Sequence, residues 1–262
     1  MNKLLKLEFR KLGKQKSYYI CLAVMILMLI LTALVLKIMP KIISGALPED
    51  SQVTISSQLN MVPEEKGEFI LAAASNALFT LLSSVFIAIA FCEDYDQQIL
   101  KNTFARGYSR SSVYLSKIIH IFFSCTIMYL IVVLASGAVS ALILGMKSLE
   151  PAVFKHIAVQ YLVCMAYVAL SIAICGLIRK TGLTIAISIV IHSIVGLVIS
   201  LVEMLLKIKD SVISKYWLDG LLSDTANFAT DDKRLVIIAV AAVIYIAVFL
   251  IVGHFSTRRV EI

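Results

Sequence analysis

Apolar residues dominate six long stretches of this 262-residue chain, roughly Tyr18 to Leu36, Ile70 to Phe91, Ile118 to Leu144, Ile157 to Leu177, Leu183 to Leu205 and Leu235 to Gly253. Short charged segments separate them. Each stretch is long enough to cross a bilayer core, which takes about 20 helical residues. None shows the one-sided stripe of a helix on a water-soluble core; they are apolar nearly all round, so lipid must cover the outer faces. The pattern predicts an all-α polytopic membrane protein with six transmembrane helices, a single transmembrane domain over residues 1–262. A mean hydropathy of +0.93 with only 16% charged residues agrees.

Between the spans, residues 1–16 mix Leu4, Leu5, Leu7, Phe9 and Leu12 with Lys3, Lys6, Arg10, Lys11, Lys14 and Lys16. That composition predicts an amphipathic helix on the inner membrane surface, its bases toward anionic headgroups and its Leu and Phe toward the acyl boundary. Residues 37–69, with three prolines and five carboxylates, read as an irregular acidic loop. Residues 206–234 form a second large external segment, where Tyr216, Trp217, Leu218, Leu221 and Leu222 predict a short interfacial helix. The loops over 145–156 and 178–182 are tight.

Charge sets the expected orientation. With the N-terminus inside, the inner segments hold 14 of the 24 Lys and Arg and 5 of the 17 Asp and Glu, a net of +9 against −2 outside. This is the sense of the positive-inside bias. It predicts a multi-pass protein of the cell membrane with both termini cytoplasmic and the lipid bilayer as its first partner. The first apolar run is too long for a cleaved signal peptide and lacks a small-x-small site before Lys37, so a retained helix is expected. The surplus of bases is explained by the inner loops and implies no nucleic-acid partner. Cys21, Cys92, Cys125, Cys164 and Cys175 lie within or at the ends of apolar segments, so no disulfide framework and no metal site is expected.

One inner segment stands out. Residues 92–117 read CEDYDQQILKNTFARGYSRSSVYLSK. Three carboxylates, Glu93, Asp94 and Asp96, leave the second span; Gln97 to Phe104 can form about two helical turns; Arg106 and Gly107 interrupt them; Ser109 or Ser111 can cap the next helix. Read from physics alone, this is either a docking element for a soluble partner or a solvated connection. The stretch resembles the inner loop of the type-2 ATP-binding-cassette exporter permeases of bacteria, in particular the small permeases beside peptide-antibiotic and lantibiotic resistance ATPases. In that family an acidic residue after the second span precedes a stretch similar to GTLKNLLARGVSRSKIYLSKL, and positions 97–118 here read QQILKNTFARGYSRSSVYLSKI, departing at Gln98 and Ile99, where Gly and Thr are frequent. The resemblance implies a cytoplasmic coupling loop over 92–117 that seats in a groove of an ATPase subunit, with Glu93, Asp94, Leu100, Asn102, Arg106, Gly107 and Arg110 as docking residues. It also implies two ATPase copies, a second permease half as homo- or heterodimer, and an exported peptide, lantibiotic or hydrophobic drug.

No glycine begins the phosphate-cradling G-x-x-x-x-G-K-[ST] sequence. The chain is therefore expected to carry no cofactor and no catalytic site, with ATP and Mg bound by the partner. Ionisable groups at membrane depth are costly and mark pathways or interfaces. His192 and Glu203 qualify: eleven residues apart, they share a face of the fifth span at about 16 Å along its axis. Asn76 and Thr80 begin a narrow polar stripe on the second span, and Gly137, Ala141 and Gly145 make a small-residue stripe on the third. Two alternatives stay open at this stage: an ion-gradient-driven secondary transporter using His192 and Glu203, or a membrane anchor or sensor that only recruits a partner.

Overall fold

The computed structural model describes residues 2–13, 15–46, 68–74, 77–97, 99–144, 151–206, 212–227 and 230–258, and those residues are helical with short connections and no strand. A backbone in hydrocarbon has no water to bond, so its N–H and C=O groups must pair within the segment, and helices do this. Among the described residues eleven α-helices follow in chain order: α1 Asn2–Leu12, α2 Lys16–Ala46, α3 Glu68–Ala74, α4 Ala77–Asp96, α5 Ile99–Ala105, α6 Arg110–Val139, α7 Pro151–Ile178, α8 Thr181–Leu205, α9 Val212–Tyr216, α10 Leu218–Ala226 and α11 Asp232–Arg258. Six spans are long and apolar enough to cross a membrane. The chain is an all-α polytopic membrane protein.

Span ends differ from the hydropathy reading for a physical reason: apolar composition marks the bilayer, whereas hydrogen bonding marks the helix. Thus α2 continues past Leu36 to Ala46, and α6 starts at Arg110, well before Ile118. Ser109 caps α6 in extended backbone, its Oγ accepting from the Ser112 N–H. At its far end α6 passes into a π-helical turn, Ser140–Leu144, where Ser136 and Ser140 donate back to the carbonyls of Val133 and Gly137. Such back-bonding competes with the regular ladder and accompanies its loosening.

The centre of the bundle is α7. Every residue from Val163 to Gly176 is buried, including Tyr167 and Ser171. Its most extensive partner is α11, with α4, α10, α8 and α6 around it. The α7–α11 crossing is close because two glycines meet: a Cβ on Gly176 would lie 3.3 Å from the Gly253 carbonyl oxygen. A side chain on Gly253 would run into the Tyr114 hydroxyl, which donates to the Leu250 carbonyl. Small residues at such a crossing let backbones approach and maximise dispersion contact where no hydrophobic force separates helix from lipid.

The outer helix α8 is built the opposite way. Its buried residues are Thr184, Ser188, His192 and Glu203, while Leu183, Ile189, Ile194, Leu197 and Leu201 are exposed. Polar groups face protein and apolar groups face out, the arrangement expected for a helix solvated by lipid. One end of the bundle, here the proximal face, carries α1, α5 and the end of α11; the other, distal face carries α9 and α10.

Candidate functional site

The proximal face is organised around Asp94, in the last turn of α4. A carboxylate there faces the negative end of its own helix dipole, and two ammonium groups offset this. Lys11 of α1 reaches Oδ1 at 2.5 Å, and Lys117 of α6 pairs with Oδ2. Lys117 is 2% exposed, donates also to the Phe91 carbonyl at 3.4 Å, and lies 5.4 Å from the Phe91 ring centroid. Burial opposes the Lys11 charge, but the Asp94 bond and the attraction of Asp94, Glu8 and Glu93 outweigh it and hold the ammonium above its ordinary value. Glu8, buried one turn earlier on α1, goes the other way for a carboxyl: burial raises it, and the pull of Lys117 only partly compensates. Phe9 completes the joint, edge-on to His120 and Phe123 with centroids at 5.8 and 5.0 Å. These contacts fasten the amphipathic α1 across α4 and α6.

Outside this joint lies the connecting segment. Within the 92–117 reading only α5, Ile99–Ala105, is an independent helix; residues 92–96 still belong to α4 and 110–117 to α6. Gly107 takes φ +83°, a left-handed turn that suits glycine, and its N–H bonds the Phe104 carbonyl at 2.9 Å. Phe104, Tyr108 and Tyr95 pack on Val113 and hold the turn against α6. Arg106 and Gly107 are exposed, Arg110 is exposed with its guanidinium 6.0 Å from the Phe104 centroid, and Glu93 is half-buried, accepting from Gln97 Nε2 at 3.0 Å. Leu100 and Asn102 lie on α5, their side chains outside the described residues. Asp94 parts company with its neighbour: it is buried and paired with Lys11 and Lys117.

Two further contacts brace the same face. Asp96 accepts from the Thr181 N–H at 3.1 Å and its hydroxyl at 2.5 Å, capping α8 from another helix. Arg179, at φ +60°, donates to the Gly176 carbonyl at 3.1 Å and the Ser256 carbonyl at 2.8 Å. One guanidinium thus serves the last turns of α7 and α11, where orphan carbonyls and the dipole both favour a cation.

Within the spans, His192 and Glu203 lie on the inward face of α8, as their spacing predicts, and do not meet. His192 Nδ1 stands 2.7 Å from the Ser188 carbonyl, and its ring stacks on Tyr167 with centroids 5.0 Å apart. The Tyr167 hydroxyl donates to Asp219 of α10. Glu203 instead accepts the Ile213 and Ser214 N–H groups at 2.5 and 3.0 Å, fixing the start of α9. Thr80 is buried in α4 with Ser83 and Ser84, which bond back to their own helix. Asn76 and Gly145 fall outside the described residues, and Gly137 faces Ile70 of α3.

Lys11, Lys117, Arg179, Tyr167 and Asp219 did not stand out in the sequence. The lysines and Arg179 look like ordinary flanking bases, and nothing local to Asp219 says that it reaches a membrane helix. Among the described residues no group of three or more His, Cys, Asp or Glu has metal-ligand geometry. The arrangement is a bundle with a braced proximal face beside the short helix α5. Compared with known families, residues 4–202 match the model described as ABC-2 family transporter protein. No curated protein matches the chain.

Proposed function

The chain belongs to the ABC-2 family transporter proteins, whose match covers most of its length, and from that premise we propose that it is the permease half of an exporter driven by separate ATPase subunits docking on α5. Membership makes it a multi-pass ABC transporter permease and implies an ABC ATPase as its partner. The finer reading adds two ATPase copies, a second permease half as homo- or heterodimer, both chain ends in the cytoplasm of a cell-membrane protein, and ATP with Mg held by the ATPases. The observation that carries it is the exposure of Ile99, Ala105 and Arg106 on and beside α5, between α4 and α6, next to a carboxylate held by α1 and α6.

Coupling follows from that mechanics. When the ATPase pair closes on ATP, a docked α5 is displaced, and the α4 and α6 ends move with it because Asp94, Lys117 and Lys11 resist separation. The state that the closed ATPases grip better gains population, as any linked equilibrium requires. The cargo class is an amphipathic peptide, lantibiotic or hydrophobic drug. Favouring it is an apolar cavity of about 280 Å³ lined by Met25, Met28, Leu29, Phe69 and Phe79 between α2, α3 and α4. Methionine side chains adapt to varied apolar shapes.

The test is co-purification of the tagged permease with its co-expressed ATPase in detergent, comparing wild type with the double variant Glu93→Arg/Arg106→Glu. Stoichiometric recovery lost in the variant supports docking on this surface. An intact permease that recovers no ATPase defeats the exporter reading and favours the ion-coupled alternative.

A further inference from the structure

The distal face holds a second cavity, about 470 Å³, between the outer half of α8 and the helices α9 and α10. It is polar, and its lining includes Ser200, Lys215, Trp217, Asp219 and Ser223. Its shape depends on Gly196: a Cβ there would collide with the Asp219 carboxylate, so the missing side chain is what admits Asp219 against α8. The charges in this wall are unequal in their partners. Asp224 is neutralised by Arg234 at 2.9 Å, and Arg234 is fully engaged, donating also to the Lys215 carbonyl at 2.8 Å and lying 4.7 Å from the Tyr216 centroid. Asp219 has only the neutral Tyr167 hydroxyl on Oδ1; among the described residues no Lys or Arg forms an ion pair with it.

Lys215 lines the same cavity, yet among the described residues it makes no ion pair with Asp219, whose charge is left uncompensated by direct contact. One helical turn deeper, His192 repeats the theme. Its Nδ1 must carry the proton, since the Ser188 carbonyl can only accept, which leaves Nε2 as an acceptor; it is buried and has no partner. Trp217 lines the same cavity as Asp219, and the face of an indole ring attracts cations. We propose that this cavity binds a ligand through a single ammonium group placed between Asp219 and Trp217, with the serine hydroxyls taking its neutral polar groups. A peptide amino terminus and an ethanolamine lipid headgroup share this chemistry. The site is independent of ATPase docking: loss of one in experiment leaves the other standing.

Trp217 is the sole tryptophan of the chain, so its emission reports on this cavity directly. The experiment titrates the full chain, in nanodiscs of phosphatidylglycerol alone, with leucinamide at a pH where its amine is charged, and with N-acetyl-leucinamide as the uncharged control. A saturable change with the amine alone is expected, weakened tenfold or more by Asp219→Asn, which keeps an acceptor for Tyr167. Ser200→Leu, at an exposed position whose hydroxyl bonds only its own helix, is expected to weaken it by filling the mouth should Asp219→Asn fail to fold. Unchanged affinity in a folded Asp219→Asn, or no saturable response in wild type, overturns the proposal. Discs containing phosphatidylethanolamine separate the sources: competition with leucinamide identifies the headgroup as occupant, and its absence identifies a soluble amine.

Discussion

The two faces of the bundle use carboxylates in opposite ways. On the proximal face Asp94 is closed off, its two oxygens each claimed by an ammonium from a different helix. On the distal face Asp219 has a phenol on one oxygen and a cavity beside it. The first arrangement fixes three helices relative to one another and leaves nothing over for a ligand. The second leaves charge unspent where solvent can reach.

The sharpest way to break this contrast is to remove each carboxylate. Asp94→Ala leaves Lys117 charged and buried, and is expected to destabilise by about 3–5 kcal/mol, the usual cost of orphaning one member of a buried pair; Asp219→Ala is expected to cost about 1 kcal/mol, the worth of one hydrogen bond. Thermal unfolding of both variants in nanodiscs checks this, and equal losses would erase the distinction. At the next level, Arg179→Ala removes the cation shared by the ends of α7 and α11 and is expected to cost about 2 kcal/mol, in the range of hydrogen bonds to charged groups. Gly in place of Arg179 keeps the left-handed backbone and loses only the guanidinium, so a similar loss in Arg179→Gly shows that capping, not strain, is responsible. Tyr167→Phe deletes the phenol on Asp219 and is expected to cost about 1 kcal/mol while leaving ATPase co-purification unchanged.

The smallest effect is a pH dependence of α1 docking. Glu8 has a folded value raised above 4.5 by burial, so the folded state holds its proton more tightly than the unfolded one. Its contribution is therefore present below 4.5 and lost as pH rises through the folded value. Hydrogen-exchange protection factors of the α1 amides should fall across that window, and Glu8→Gln should flatten the curve.

Much of the architecture was legible, because spanning a bilayer demands about 20 apolar residues at a time and nothing else in the chain imitates that. The ends of the spans were less so. Residues 110–117 lie outside the apolar run because of Arg110 and Lys117, and only the Ser109 cap marks them as helix; that Lys117 is neutralised by a residue 23 positions earlier is a pairing that no local pattern announces. Glu93 and Asp94 show the same limit more narrowly. Adjacent on a helix, they differ by about 100° in direction, and only the packing of α1 and α6 decides which faces inward. The shared face of His192 and Glu203 could be read from spacing, whereas their partners, on α7 and α9, came from tertiary structure alone. Asp219 lies beyond both kinds of reading, since its role depends on the missing side chain at Gly196.

The packing of α7 against α11 has a consequence for biosynthesis. Only Arg179 and Lys180 stand between α7 and α8, too little chain to let one helix enter the membrane ahead of the other, so they insert as a hairpin. At that moment the Gly176 surface of α7 has no partner, because Gly253 is translated only after α8, α9 and α10. The most buried helix of the protein therefore waits in lipid, held by the earlier spans, until the ribosome delivers the helix that completes its surroundings.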